Sequence, residues 1–260
     1  MTKQPILELK NINKKFGDKI VLDQVNFQIN PGEIVGYIGP NGAGKSTTVK
    51  IILGLLSATA GDIYLFGQRL TAKDTSYKKR IGYVPENAKM YDQLSAKEYF
   101  IFIGALYGLS EDIIIERGQR LMSLLGIDEV AYNARLSTYS KGMRQKTLIV
   151  SSLLHDPDLL FWDEPLNGLD ANSIQIIKEI LRQLRDEGKT IIYSSHIMST
   201  VEKLSDRILL LHEGKVVADD SFDSLRQVAA GNLEQVFNQL TGFNDHKQVA
   251  DEFMAVLKEE

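Results

Sequence analysis

The chain has 260 residues, which is enough to bury a sizeable core and lies near the upper end of what one domain carries. Its apolar fraction of 43% and charged fraction of 25% are those of a globular protein and exclude a disordered, collagen-like or disulfide-rich chain. The net charge of -4 provides no basic field for phosphate backbones, so we expect no nucleic-acid partner.

The cysteine content and the length of the apolar stretches exclude some kinds of site and indicate that the chain does not itself span a membrane. The sequence has no cysteine, which excludes disulfides and thiolate metal sites. Its start lacks the apolar segment of a secretory signal, so we do not expect export of the chain itself. The longest apolar stretch, residues 99–109, is about half of the roughly 20 residues that span a bilayer and predicts a buried or interface helix. Any membrane role would come from another chain.

The first predicted elements are strands. Residues 6–11 and 20–28 alternate apolar and polar side chains and predict an antiparallel N-terminal β meander. A short apolar strand at residues 34–38 leads through a glycine-rich loop into a helix at residues 45–55. Two further strands are predicted at residues 63–66 and 81–84.

The second half of the sequence predicts helices and then alternation. A helical pattern over residues 95–125, broken near Gly108, predicts a helical subdomain inserted at about residues 86–156. Helices then alternate with apolar strands, which we place at residues 159–162, 190–193 and 207–212. Such alternation predicts a mostly parallel sheet covered by helices.

Residues 39–46, Gly-Pro-Asn-Gly-Ala-Gly-Lys-Ser, match G-x-x-x-x-G-K-[ST] between a predicted strand and a predicted helix. Glycines lack a Cβ, so the loop can curl until its N–H groups converge on one anion beside the positive end of the helix dipole. Lys45 would reach the β- and γ-phosphates of a nucleotide, and the Ser46 hydroxyl would bind Mg²⁺. The alternative is an ordinary glycine turn before a helix, which the strand and helix context disfavours.

Two acids, Asp163 and Glu164, end the apolar strand at residues 159–162. Ligands collect at the carboxyl ends of strands in open α/β sheets, so we expect both beside the phosphate loop. Asp163 would bind Mg²⁺ directly or through water, and Glu164 would act as the general base for an attacking water. Acids at a strand end are otherwise ordinary surface charge. Phe161 and Trp162 are predicted to pack in the core.

Taken in order, these motifs resemble those of the ATPase subunit of ABC transporters over about residues 6–220. Residues 39–47 resemble the Walker A motif of that family, and residues 159–165 resemble its Walker B motif. Residues 139–145, Tyr-Ser-Lys-Gly-Met-Arg-Gln, stand in the place of the signature motif. Residues 167–170 resemble the D-loop.

The resemblance implies a fold of the α/β class, with a P-loop NTPase core, a mostly parallel sheet, the N-terminal antiparallel β meander and the inserted helical subdomain. One ATPase domain would cover residues 1–220. Residues 221–260 would form a C-terminal helical extension, whose mixed charges favour a solvated helix.

The resemblance also implies ATP and Mg²⁺ as ligands. The implied catalytic residues are Glu164, His196 and Lys45, and the implied metal-binding residues are Ser46, Asp163 and Glu86. The implied ATP-binding residues are Phe16, Gly39, Asn41, Gly42, Ala43, Gly44, Lys45, Ser46, Thr47, Ser140 and Gly142. Phe16 would stack on the adenine, the alternative being a core residue that closes the N-terminal sheet. A histidine such as His196 is otherwise more often structural.

Two partners are implied. In a head-to-tail homodimer each ATP would lie between the phosphate loop of one subunit and Ser140 and Gly142 of the other, with Asp170 in contact across the dimer. A separate integral membrane permease would hold the chain in the cytoplasm, on the inner face of the cell membrane. Tyr99, Phe100 and Phe102 would form part of its docking cleft or, alternatively, a helix core.

Three residues depart from the family pattern. Glu86 replaces the usual glutamine, and Lys141 and Met143 replace a glycine and the glutamine of the signature motif. The combination is similar to a branch of bacterial exporters and favours export over import. One alternative is a soluble ABC ATPase acting on the ribosome or DNA, which a single cassette without a heptad run disfavours. Another is a silent nucleotide-dependent regulator, disfavoured by the full set of catalytic residues.

Overall fold

A computed structural model describes residues 4–71, 74–87, 89–195, 197–228, 231–242 and 246–257. The strands in chain order are β1 (Leu7–Phe16), β2 (Lys19–Ile29), β3 (Ile34–Ile38), β4 (Ala60–Leu65), β5 (Gln68–Arg69), β6 (Ile81–Val84), β7 (Leu159–Asp163), β8 (Thr190–Ser194), β9 (Arg207–His212) and β10 (Lys215–Asp220). The α-helices are α1 (Lys45–Ile52), α2 (Ala96–Leu106), α3 (Glu111–Leu124), α4 (Glu129–Asn133), α5 (Lys141–Leu153), α6 (Ala171–Asp186), α7 (Met198–Leu204), α8 (Phe222–Val228), α9 (Leu233–Thr241) and α10 (His246–Val256). Short 3-10 helices occur at Ser76–Arg80 and Leu136–Thr138.

The N-terminal sheet is antiparallel, with the strand order β2-β1-β4-β5. Alternate residues of β2, among them Val25, Phe27 and Ile29, are buried against the core, while the residues between them face outward. This alternation is expected of an antiparallel sheet that packs one face on the core and exposes the other to solvent. The predicted meander is confirmed, and β1 runs further than expected, to Phe16.

The second sheet has the order β10-β9-β3-β8-β7-β6, in which all neighbours except the β10 and β9 pair are parallel. All five residues of β3 are buried, as are all five of β8, because helices α5 to α7 cover one face of the sheet and α1 and the N-terminal sheet cover the other. The mostly parallel sheet is confirmed. Strand β10 was not predicted, because its charged, partly exposed residues lie on a sheet edge.

Helices α2 to α5 lie between β6 and β7 in the chain, within the segment predicted as the helical insertion. Ser95 and Glu98 form a capping box that starts α2. Glycine permits close packing of α2 on α3, since a Cβ on Gly104 would lie 2.5 Å from the side chain of Ile114. Phe100 is fully buried here, so the helix-core alternative holds for that residue.

The C-terminal helices differ from the expected solvated extension. Leu233 and Val236 in α9 are fully buried and belong to the main core, and the N–H of Leu233 donates to Glu202 at 3.0 Å. The prediction of a solvated helix is therefore wrong for α9, which covers α7. In α10 the described side chains are exposed.

None of the helices in the described ranges is both long and apolar enough to cross a lipid bilayer.

Candidate active site

The glycine-rich loop at residues 39–44, here called the phosphate loop, joins the buried strand β3 to helix α1. Gly42 and Gly44 take φ angles of 81° and 111°, a region that side chains with a Cβ rarely adopt. The N–H of Ala43 donates to the carbonyl of Pro40 at 3.2 Å and closes the turn. Gly44 precedes α1 without a side-chain cap, so the first N–H groups of the helix remain available to an anion.

Lys45 opens α1 and turns back over the loop. Its Nζ donates to the carbonyl oxygens of Gly39 at 2.6 Å and Pro40 at 3.2 Å. Burial lowers the pKa of Lys45 from its ordinary value, and the opposing attraction comes from nearby carboxylates, with Asp163 the largest contributor. The hydrogen bonds that Lys45 Nζ makes to described residues go to neutral carbonyl oxygens, and a phosphate would supply a negatively charged acceptor.

The two predicted acids lie beside this loop, at the end of β7. The Ser46 hydroxyl is 3.5 Å from Oδ2 of Asp163. Glu164 is buried and has a φ of 50°, an uncommon value for a residue with a side chain. Its N–H donates to the carbonyl oxygen of Ser194 at 3.2 Å, which fixes this bend at the carboxyl end of β7. Phe161 and Trp162 are buried in the core as predicted.

A cavity of about 530 Å³ opens where these groups meet, a size typical of small-molecule sites. The described residues that line it are Lys19, Ile20, Val21, Asn41, Gly42, Gly44, Lys45, Ser46, Thr47, Glu86, Asp163, Glu164, Glu213 and Gly214. It thus brings together most of the residues predicted from the Walker motifs, together with Glu86.

Five predicted ATP-binding residues, Phe16, Gly39, Ala43, Ser140 and Gly142, are not among the described residues that line this cavity. Phe16 ends β1 and pairs with Lys19, which does line it. The Phe16 side chain is 50% exposed, so the alternative of a core residue is wrong. Lys14 Nζ lies 4.8 Å from the centre of the Phe16 ring.

Ser140 and Gly142 form the start of helix α5. The Ser140 hydroxyl caps the helix by accepting from the N–H of Met143 at 3.2 Å. Gly142 packs against the D-loop backbone, since a Cβ there would lie 2.7 Å from the carbonyl oxygen of Gly168. Glycine is therefore required at residue 142 by packing within the chain.

Asp170, the last residue of the predicted D-loop, caps α6. Its carboxylate accepts from the hydroxyl and the N–H of Ser173, at 2.6 and 2.9 Å, and these bonds lower the pKa of Asp170 to about 2. The predicted catalytic residue His196 lies outside the described residues.

The donor set beside the loop suits a nucleotide-bound Mg²⁺. Within the described ranges no three His, Cys, Asp or Glu side chains are grouped closely enough to hold a metal ion alone. Mg²⁺ commonly takes one or two protein oxygens and completes its shell with phosphate oxygens and water. The Ser46 hydroxyl and the Asp163 carboxylate, 3.5 Å apart at the cavity, fit that arrangement.

Comparison with known proteins gives the family. The family described as "ABC transporter" matches residues 22–167. The lantibiotic transport ATP-binding protein SrtF of Streptococcus pyogenes is 37% identical over 233 residues, covering 90% of this chain and 96% of the relative. The chain belongs to the ABC transporter family. The Nod factor export ATP-binding protein I of Cupriavidus metallidurans is 34% identical over 214 residues, covering 82% of this chain and 70% of the relative.

Two solved structures of ABC proteins are similar to the chain. The structure of an ATP-binding subunit of an ABC transporter has a TM-score of 0.84 and 34% identity, covering 91% of this chain and 99% of the other. A dimeric post-hydrolysis state of the ATP-binding cassette MJ0796, bound to ADP and Pi, has a TM-score of 0.74 and 27% identity, covering 83% and 98%. The predicted family, the fold and the assignment as an ABC-type ATPase subunit are confirmed.

Sequence reasoning missed part of the site in this ABC protein. Glu213 and Gly214 form the turn between β9 and β10, with φ angles of 46° and 76°. The N–H of Gly214 donates to the carbonyl of Ala43 at 3.1 Å, so this distant turn supports the phosphate loop. A Glu-Gly pair between two β-rich runs is a hairpin signal, but no local signal places that hairpin beside the loop.

Proposed function

We propose that this chain powers an export-type ABC transporter as one of two identical ATPase subunits. The observation that carries the proposal is the single cavity in which the phosphate loop, Lys45, Ser46, Asp163 and Glu164 meet. Export is supported by the Lys141 and Met143 pattern and by a relative named for Nod factor export. The transported compound would be chosen by the membrane subunit.

Within one copy, the loop amides and Lys45 bind the β- and γ-phosphates of ATP. The Ser46 hydroxyl and the Asp163 carboxylate would hold Mg²⁺, and Glu86 lines the same cavity. The chemistry that Mg²⁺ supplies when bound is charge neutralisation on those phosphate oxygens. Glu164 orients the attacking water and takes up its proton as the general base.

A second copy completes each site in this proposal. Ser140 and the N–H of Gly142 of one subunit donate to the γ-phosphate held by the other, at the positive end of α5. Asp170 lies at the contact between the copies, His196 contacts the γ-phosphate, and Phe16 stacks on the adenine. The dimeric MJ0796 cassette with bound ADP and Pi supports this assembly.

The membrane partner docks on α2 in this proposal. Tyr91 and Phe102 are exposed and meet edge to face, with ring centres 5.6 Å apart, and Leu106 is exposed one helical turn further along α2. Exposed apolar groups gathered on one surface are typical of a protein interface. A permease bound there would hold the chain on the cytoplasmic face of the membrane and receive the motion driven by ATP.

The Glu164→Gln variant tests the mechanism. Removal of a general base lowers rates by about 10²- to 10⁴-fold, so we expect ATPase activity to fall by that factor and an ATP-dependent dimer to accumulate. Phosphate release and light scattering with ATP and Mg²⁺ measure the two effects. Glu187→Gln, at the exposed end of α6, is the matched control and should behave as the parent. Full activity in Glu164→Gln, or a dimer that forms without ATP, would contradict the mechanism.

A further inference from the structure

Ser194 is a buried hydroxyl at the active-site edge that the proposed mechanism does not use. It ends β8 and is only 6% exposed. Strands β7 and β8 are parallel, and Ser194 pairs in register with Asp163. The carboxyl ends of the two strands therefore lie side by side, which brings Ser194 to the acids although it is distant in sequence.

The Ser194 side chain contacts both acidic residues at once. Its hydroxyl donates to Oδ1 of Asp163. The same oxygen lies 3.3 Å from the backbone nitrogen of Glu164, which donates to it. Ser194 thus joins the side chain of one acid to the backbone of the next, at the residue where the chain adopts its positive φ.

Because of these contacts, the two oxygens of the Asp163 carboxylate have different partners. Oδ1 is held by Ser194, while Oδ2 points to the Ser46 hydroxyl, 3.5 Å away. Without the Ser194 hydroxyl the carboxylate could rotate about its terminal bond, since such rotations are broad and weakly restricted. Oδ2 would then face the Ser46 hydroxyl, its partner in the proposed metal site, for only part of the time.

We propose that Ser194 is a positioning residue that orients the Asp163 carboxylate toward Mg²⁺ and thereby sets the affinity of the ATP-bound site for the metal. This inference rests on the proposed function. Hydrogen-bond partners of metal-binding carboxylates typically change metal affinity by about 10- to 100-fold when they are removed. A purely structural serine would change stability without changing metal affinity.

The test uses the full chain in a Glu164→Gln background, so that ATP is not consumed. Mn²⁺ replaces Mg²⁺ as the probe, and its binding to the ATP complex is measured by electron paramagnetic resonance. Variants are Ser194→Ala, Ser194→Thr, which keeps the hydroxyl, and Ser152→Ala. Ser152 is the matched control because it is 4% exposed and accepts from the indole N–H of Trp162, also in β7, at 3.1 Å.

We expect Ser194→Ala to weaken Mn²⁺ binding by about 10- to 100-fold, while Ser194→Thr recovers most of the loss. ATP affinity measured in EDTA should not change, because the loop amides and Lys45 remain. Ser152→Ala should lower the melting temperature but leave Mn²⁺ affinity at the parent value.

Two results would overturn the inference. One is an unchanged Mn²⁺ affinity in Ser194→Ala. The other is a loss of ATP affinity in EDTA as large as the loss of Mn²⁺ affinity, which would mean that the whole cavity is disturbed. Failure of the parent chain to bind ATP at all would instead refute the proposed function.

Discussion

The cavity beside the phosphate loop and the start of helix α5 are both fixed by contacts within the chain. They differ in how many of the predicted ATP-binding residues they bring together. At the cavity, the loop, Lys45 and Asp163 are connected by hydrogen bonds within one chain or meet at its walls. At the start of α5, Ser140 and Gly142 are fixed by a cap and by backbone packing, yet neither lines the cavity. On the proposed function, one copy would bind the phosphates of ATP by itself, whereas its α5 would complete the site of another copy.

The largest effect is expected from a Gly142→Asp variant at the start of α5. The added side chain would press on the carbonyl of Gly168, and in the proposed dimer its carboxylate would face the γ-phosphate of the other copy. We therefore expect ATPase activity to fall by about 100-fold or more, as when a donor to a developing charge is lost. ATP binding to the monomer, measured by calorimetry, should keep the parent affinity because neither Gly142 nor Gly168 is among the described residues that line the cavity. Equal losses of monomer affinity and activity would show that α5 contributes to the site within its own chain.

The Gly214→Ala variant tests how far the cavity depends on the turn between β9 and β10. The positive φ disfavours a Cβ by about 1–3 kcal/mol, and this Cβ would also press on the carbonyl of Val21. We expect a lower melting temperature and weaker ATP binding. Gly188→Ala, with a φ of 92° and free space around its Cβ, should lower only the melting temperature. Loss of ATP affinity in both variants would refute a specific role of the turn.

A smaller effect, on the pH dependence of stability, is expected at His155, which lies between α5 and β7. His155 stacks on Tyr107 with ring centres 3.6 Å apart, and its Nε2 lies 2.9 Å from the carbonyl of Ile81. Its buried Nδ1 has no hydrogen-bond partner among the described residues. Burial lowers the pKa of His155 below its ordinary value of 6.5. The unfolded chain therefore binds a proton first as the pH falls through 6.5, and the free energy of unfolding must decrease there.

Melting temperatures at pH 7.5 and pH 5.5 measure this effect. We expect His155→Gln to lose part of the decrease seen in the parent, because glutamine does not titrate in that range. An identical pH dependence in the parent and in His155→Gln would contradict the prediction.

The parts of the site whose residues are adjacent in the sequence could be predicted from it. The loop that leads to Lys45 and the acids that end β7 follow from local residue order, because the G-x-x-x-x-G-K-[ST] spacing and the acids after an apolar strand occur together in one sequence. Ser194 and Gly214 could not be predicted, since their roles depend on which distant strands lie side by side. The burial of α9 was missed because its core contact depends on Leu233 and Val236 within a polar segment.

The position of β3 in its sheet has a consequence for synthesis. Its neighbours are β8 and β9, which are translated more than a hundred residues after the phosphate loop. A growing chain therefore carries the entire nucleotide motif long before it has the strands and the Gly214 turn that give the loop its shape. Such distant pairings slow folding, and the ribosome-bound chain should acquire nucleotide late, once β9 and β10 have emerged from the exit tunnel.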